Sequence, residues 1–217
     1  MARPTNHKPL PATTVILVRH GQTPTTGTTL PGRAPGLHLS DRGIEQASAV
    51  AARIAKLENV AAVYASPLER TRETAAPIAK GLGLRVRVER GLLECDFGEW
   101  TGRKLKDLNK LPEWKTVQSY PSGFRFPGGE SFSEMQLRMT SSLARLASAH
   151  RGETIVAVSH ADPIKAALAD ALGTHLDLFQ RIVISPCSAS VIWYGGTGPV
   201  VLTSNSTGED LANLGLS

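Results

Sequence analysis

The stretch Val15-Ile16-Leu17-Val18-Arg19-His20-Gly21-Gln22-Thr23 sets a cation and an imidazole directly at the end of an apolar, β-branched run. Such a run predicts a buried strand, and side chains just past its end sit at the mouth of an α/β sheet, where ligands bind. Ile155-Val156-Ala157-Val158 ends the same way, in Ser159-His160, and Ala61-Ala62-Val63-Tyr64 leads into Ser66-Pro67-Leu68-Glu69-Arg70. If the three strands are neighbours, Arg19, His20, Arg70 and His160 converge on one pocket rich in positive charge and hydrogen-bond donors. That pocket suits a phosphoryl group.

Working outward, Ser40-Asp41 precedes a helical pattern over Gly43 to Leu57, with Ile44, Ala47, Val50, Ala51 and Ile54 at helical spacing. Ser66, Pro67 and Glu69 read as a capping box opening a second helix, which places Arg70 in its first turns. Leu84 to Val88 alternates apolar and basic residues like an edge strand. After Leu92 to Trp100, the poorly periodic stretch to Pro127 reads as a lid or insertion over the site. Ser131 with Glu134 caps a helix running to about His150, and Asp162-Pro163 reads as another helix start with Asp162 as cap. Arg181 to Ser185, Ala189 to Tyr194 and Val200 to Ser204 read as later strands. Alternating strands and helices predict an α/β fold, a three-layer α/β/α sandwich with a mostly parallel central sheet. The expected organisation is one domain over 13–204, with flexible tails at 1–12 and 205–217.

The chain has 217 residues, enough for one such domain with a substantial core, and 41% of them are hydrophobic. Its formal net charge of +5 would help draw in anions but also suits an ordinary soluble surface. No apolar window reaches the length of a membrane span and no secretory leader is evident, so a cytoplasmic protein without membrane partners is expected. Cys95 and Cys187 lie far apart, with neither a disulfide framework nor thiolate zinc spacing, and read as core or pocket-wall residues.

Phosphoryl transfer needs neutralisation of the phosphate oxygens, an in-line nucleophile and a proton source for the leaving oxygen. His20 can attack as a neutral imidazole if its other nitrogen is held by an acceptor. Arg19 and Arg70 can give forked hydrogen bonds to phosphate, and His160 a further donor. Helix N-termini beside Arg70 and after His160 add dipoles of the right sign, which makes Ala161 a backbone contact. Three carboxyls, Glu94, Asp96 and Glu99, fall within six residues, and spacing alone does not rank them as the acid. Among Leu92, Leu93 and Phe97, Glu94 would be desolvated and its pKa raised, while nearby cations would push the other way.

Four segments together resemble the histidine phosphatase superfamily, the phosphoglycerate mutase-like proteins. They are Leu-Val-Arg-His-Gly-Gln-Thr, the Ser-Pro-Leu-Glu-Arg-Thr-Arg-Glu-Thr-Ala segment at Ser66 to Ala75, Leu-x-Glu-x-x-Phe-Gly-x-Trp-x-Gly at Leu92 to Gly102, and Val-Ser-His at Val158 to His160. The resemblance runs from about Val15 to beyond His160, in that family's motif order. It implies a phosphohistidine on His20, a phosphoryl group bound by Arg19, Arg70 and His160, and Glu94 as acid/base, with no metal or organic cofactor. Many mutase-like members carry Trp-Asn after the triplet where this chain has Thr25-Thr26, so Thr26 would offer a hydroxyl in place of an amide. The long basic insertion of the cofactor-dependent mutases is absent, and Arg103, Lys104, Lys106, Lys110 and Arg125 are scattered. Both departures favour a metal-independent phosphatase acting on small phosphomonoesters, with a phosphoglycerate mutase-type phosphomutase as the alternative and an inert anion-binding module as the third reading. The expected partner is a small phosphorylated metabolite; a homodimer is compatible with the sequence.

Plainer readings stand beside these. Arg70 would also suit a helix-face pair with Glu73, and His160 a satisfied strand end. His7, His38, His150 and His175 read as surface or loop residues, and Glu130 equally as a pocket residue or as helix-start charge. Arg85 and Arg87 lack the interleaved aromatics of a nucleic-acid surface. The i,i+2 spacing of His160 and Asp162 does not suit a zinc site.

Overall fold

The computed structural model describes residues 11–208 and 211, which leaves His7 and most of the expected first tail outside it. One six-stranded sheet runs through the molecule. In chain order its elements are β1 (Thr13–Arg19), α1 (Asp41–Ile54), β2 (Val60–Ala65), α2 (Glu69–Gly81), β3 (Val86–Val88), α3 (Leu105–Leu108), α4 (Pro112–Ser119), α5 (Phe132–Ala149), β4 (Thr154–Ser159), α6 (Ala161–Ala171), β5 (Ala189–Gly195) and β6 (Gly198–Ser206). The strand order is β3-β2-β4-β1-β5-β6. β3, β2, β4 and β1 pair in parallel, and β5 runs against both of its neighbours, so the sheet is mostly parallel.

β1 lies between β4 and β5, which is why its sequence is apolar without alternation. Its side chains divide by parity between two cores. Ile16 and Val18 pack with Ala47, Val50 and Ile54 of α1 and Ala75 and Ile78 of α2, whereas Val15 and Leu17 pack with Met139, Leu143 and Leu146 of α5 and Ile164 and Leu168 of α6. These are the three layers of an α/β/α sandwich. A third cluster joins Phe97, Trp100, Phe124, Phe126, Phe132 and Phe179, with rings meeting edge to face or tilted at centroid distances of 4.9–5.5 Å. It explains the poorly periodic stretch, because α3, α4 and the turn Pro121–Gly123 pack on this aromatic core instead of presenting an amphipathic face to the sheet.

Several local expectations need correction. Ser66 caps no helix: α2 begins at Glu69 after Leu68, which makes no side-chain cap bond, and the Ser66 hydroxyl turns to His160. α6 begins at Ala161 with His160 in the cap position, so Asp162 lies inside the helix rather than before it. Residues 181–185 form no strand; Arg181 closes a 3-10 turn from Leu176, and the apolar residues after it border the cavity described below. β6 runs through Ser206 and Leu211 is buried in the first core, so residues 205, 206 and 211 belong to the folded body, while 209, 210 and 212–217 of the expected tail lie outside the described residues. The expected helix over 43–57 spans Asp41–Ile54, capped by Ser40, whose side chain accepts from the Gly43 amide at 3.2 Å. Ser131 and Glu134 do form the capping box of α5.

The loop leaving β1 is fixed by glycine. A Cβ on Gly43 would stand 2.1 Å from the Gln22 carbonyl oxygen, and one on Gly21 would stand 2.6 Å from the Gly43 oxygen. Only two glycines allow this backbone contact, which seats the turn after His20 against the start of α1. No helix among the described residues is long and apolar enough to cross a membrane.

Candidate active site

The parallel pairing sets the ends of β1, β4 and β2 side by side, with Arg19 opposite Ser159 and Ala65 opposite Val158. His20, His160 and the start of α2 therefore meet at one sheet edge. Arg70 is fully buried there and bridges both imidazoles. Its Nε donates to His20 Nε2 at 3.3 Å, and its Nη2 lies 3.2 Å from His160 Nδ1 while also donating to the Gly32 carbonyl at 2.8 Å. The imidazole rings sit edge to face with centroids 5.2 Å apart. The pairing with Glu73 does not occur: that carboxylate meets the His38 ring and the Leu39 amide.

Because a guanidinium only donates, these contacts fix both tautomers. His20 Nε2 carries the lone pair and Nδ1 the proton, which it donates to the Gly21 carbonyl at 2.7 Å. His160 Nδ1 accepts, so Nε2 donates to Ser66 Oγ at 2.9 Å. Burial, then the charges of Arg70 and Arg19, pushes the His20 pKa down to about 3. Burial, then Arg70 and the neighbouring ring, holds His160 well below the ordinary imidazole value. Both rings are neutral at pH 7. A bare Nε2 on His20 is what a nucleophile requires.

Two donors in this site are uncommitted. Arg70 Nη1 and Arg19 Nε are buried and have no hydrogen-bond partner among the described residues, although Arg19 Nη1 donates to the Ile184 carbonyl at 2.6 Å. Leaving a buried N–H unmet costs about 1–3 kcal/mol, so each favours an incoming acceptor. Among the described residues neither guanidinium has a carboxylate within ion-pair distance, and the site is left net positive. An anion would complete it.

Of the three carboxyls, Glu94 alone lines the cavity and is buried; Asp96 accepts from the Gly98 amide and pairs with Arg33, and Glu99 is exposed. Burial, followed by the nearby charge of Asp162, raises the Glu94 pKa to about 7, against the opposing pull of Arg70, the Cys95 amide and Arg19. Its backbone is held by residues with no local signal in the sequence. Arg33 Nε donates to the Glu94 carbonyl at 2.8 Å and Arg138 Nη2 at 3.3 Å, and Glu130 bridges the two guanidiniums at 2.8 Å from each. Glu130 is thus a buttress behind the site, and it is not a pocket residue.

The cavity, of about 360 Å³, is lined by Arg19, His20, Glu94, Ala161, the threonines at 23, 25, 26 and 29, and a polar group of Asp162, Lys165 and Gln180. The Thr26 hydroxyl accepts from the Thr23 amide at 2.9 Å and meets the Thr23 hydroxyl at 3.0 Å, so it already braces its own loop. Ala161 is the first residue of α6, where backbone N–H groups have no partner within the helix. Asp162, Lys165, Gln180 and Ser66 were not expected as site residues from the sequence. Among the described residues no three His, Cys, Asp or Glu side chains cluster as a metal centre would require.

Depressed histidine pKa values predict acid sensitivity. Below its unfolded value of 6.5 the unfolded His20 binds a proton that the folded ring refuses down to about 3, so stability is present above that window and is lost as pH falls through it. Between pH 7 and pH 5 this loss is about 2 kcal/mol from His20. Urea unfolding at the two pH values should show His20→Asn losing less stability than the parent by about that amount.

Residues 15–207 match the family model of histidine phosphatase superfamily branch 1, and the chain belongs to that superfamily. It has the phosphoglycerate mutase-like fold of that class. The chain is 33% identical over 198 residues to phosphoserine phosphatase 1 of Hydrogenobacter thermophilus, covering 89% of this chain and 92% of that one. It is 34% identical over 200 residues to the bifunctional protein Rv2228c of Mycobacterium tuberculosis, where 90% of this chain spans only 54% of the relative. The structure of a mutant phosphoserine phosphatase from Entamoeba histolytica with phosphoserine superposes with a TM-score of 0.81 at 28% identity, over 90% of this chain and 98% of that one.

Proposed function

We propose that the protein is a phosphomonoesterase in which His20 Nε2 takes the phosphoryl group of a small phosphate ester and passes it to water. The observation that carries this reading is the Arg70 guanidinium, buried between two neutral imidazoles with Nη1 unmatched. As phosphate enters, Arg70 Nε gives up the lone pair of His20, which then attacks phosphorus in line. Arg19, Arg70 and the backbone at Ala161 bind the equatorial oxygens, and His160 holds the Arg70 guanidinium in place for them. Thr26 adds to that cradle through the loop it braces. With its raised pKa, Glu94 is substantially protonated at neutral pH, gives its proton to the leaving oxygen, and afterwards takes one from the attacking water.

Water rather than a second substrate is favoured as acceptor because no cation of the 103–125 segment reaches the cavity. Lys104, Lys106 and Lys110 are exposed, and Arg125 pairs with Glu134. The named phosphoserine phosphatase relatives agree with hydrolysis of a small ester. The test is inorganic phosphate release from a panel of phosphomonoesters in the presence of a chelator, run beside a phosphoglycerate isomerisation assay. Chelator-insensitive release without isomerisation is expected. Isomerisation dependent on a bisphosphorylated primer would assign the mutase reaction instead.

A further inference from the structure

We propose, resting on the hydrolytic reading above, that Asp162, Lys165 and Gln180 form a clamp for the leaving group and select phosphate esters of neutral polyhydroxy alcohols. Asp162 and Lys165 stand one helical turn apart on α6, with Gln180 meeting them from the turn Leu176–Arg181, and all three line the cavity that holds His20 and Glu94. Lys165 Nζ lies 3.2 Å from Asp162 Oδ1 and 3.1 Å from Gln180 Oε1. Both side chains of the ion pair are largely withdrawn from solvent, at 17% and 19% exposure, in a place where a bare surface pair would contribute little.

The donor and acceptor count identifies the ligand. An ammonium has three protons and no acceptor, so the amide oxygen of Gln180 must face Lys165 and its NH₂ must point elsewhere. The third Lys165 proton has the Phe179 ring as its neighbour, 5.8 Å from Nζ to the centroid, and the Gln180 NH₂ and Asp162 Oδ2 have no hydrogen-bond partner among the described residues. The clamp therefore offers donors and an acceptor side by side, at zero net charge. A hydroxyl, which both donates and accepts, satisfies either kind of site. A carboxylate would meet the donors but set its own oxygens against Asp162, and an ammonium would satisfy Asp162 alone. Adjacent hydroxyls fill the whole set, and the apolar residues Ile182, Val183 and Ile184 in the same lining suit the carbon skeleton between them.

The experiment compares kcat/KM for sorbitol phosphate, phosphoserine, phosphoglycerate and phenyl phosphate in the parent and in Gln180→Leu and Lys165→Gln, with thermal melts to establish folding. The parent should prefer sorbitol phosphate over both charged esters. Each variant should lower the ratio of sorbitol phosphate to phenyl phosphate turnover about tenfold or more, because a site built around substrate hydroxyls is left with unmatched polar groups. A parent preference for phosphoserine or phosphoglycerate, or a ratio that neither folded variant moves, would overturn the clamp while leaving hydrolysis standing. Failure to release phosphate from any ester, phenyl phosphate included, would overturn the hydrolytic reading and the clamp with it.

Discussion

Replacing His20 by alanine should lower kcat/KM for every phosphomonoester by roughly ten-thousandfold or more, the scale on which loss of a covalent nucleophile is felt. The reason is geometric. Gly21 accepts the Nδ1 proton and Arg70 donates to Nε2, so the only lone pair on the ring points along the guanidinium that would grip the phosphate. Among the described residues no other side chain of the cavity presents a neutral nitrogen nucleophile: His160 is fully buried with both ring nitrogens engaged. Phosphate binding should survive the substitution, because Arg19, Arg70 and the start of α6 remain. Parallel measurements of turnover and of inorganic phosphate inhibition separate the two effects.

Glu94→Gln carries the second large effect, and its signature is dependence on the leaving group. An alkyl phosphate needs a proton on its departing oxygen, so kcat/KM should fall by about 10²–10⁴. A nitrophenyl phosphate, whose anion leaves unaided, should lose far less. The pH dependence follows from the raised pKa. In the parent, the acid form of Glu94 is depleted as pH rises through about 7, so kcat/KM for an alkyl phosphate should decline above that value once titration of the ester itself is subtracted. Glu94→Gln should lack that decline. His20 does not set the limb, since its ring stays neutral far below pH 7.

What could be read in the chain and what could not divides by distance along it. β1, β2 and β4 announce themselves because a strand buried on both faces needs an apolar run, and Arg19, His20 and His160 follow directly as residues at its end. Arg70 was legible as a residue near the sheet mouth, though for a partly mistaken reason. The Ser66 and Glu69 pattern has the spacing of a cap, yet Ser66 is fully buried with its hydroxyl on His160, a partner 94 residues away that no local rule can anticipate. Asp162 departs from its local pattern in the same way: a helix-start aspartate suits capping by composition, but here it lines the cavity and meets Lys165. Ile182, Val183 and Ile184 carry strand propensity, and they sit outside the sheet because their place is the cavity border, where the Ile184 carbonyl takes Arg19.

The Arg33, Glu130 and Arg138 buttress is the least legible part. Its three charges are scattered over more than a hundred residues, and each alone looks like solvated surface. Only the fold shows that they converge on the backbone of Glu94. Selecting Glu94 from three neighbouring carboxyls likewise needed the structure or a family pattern, because the deciding quantity is burial, which spacing does not encode.

Quenching the protein in alkali during turnover of a phosphomonoester, digesting it and locating the phosphoryl group by mass spectrometry tests whether His20 is the nucleophile. An acid-labile, alkali-stable phosphoryl group on His20, absent from His20→Ala, is the predicted result. Turnover with no phosphoprotein under conditions that trap one, or a phosphoryl group on another residue, would rule out His20 as the nucleophile.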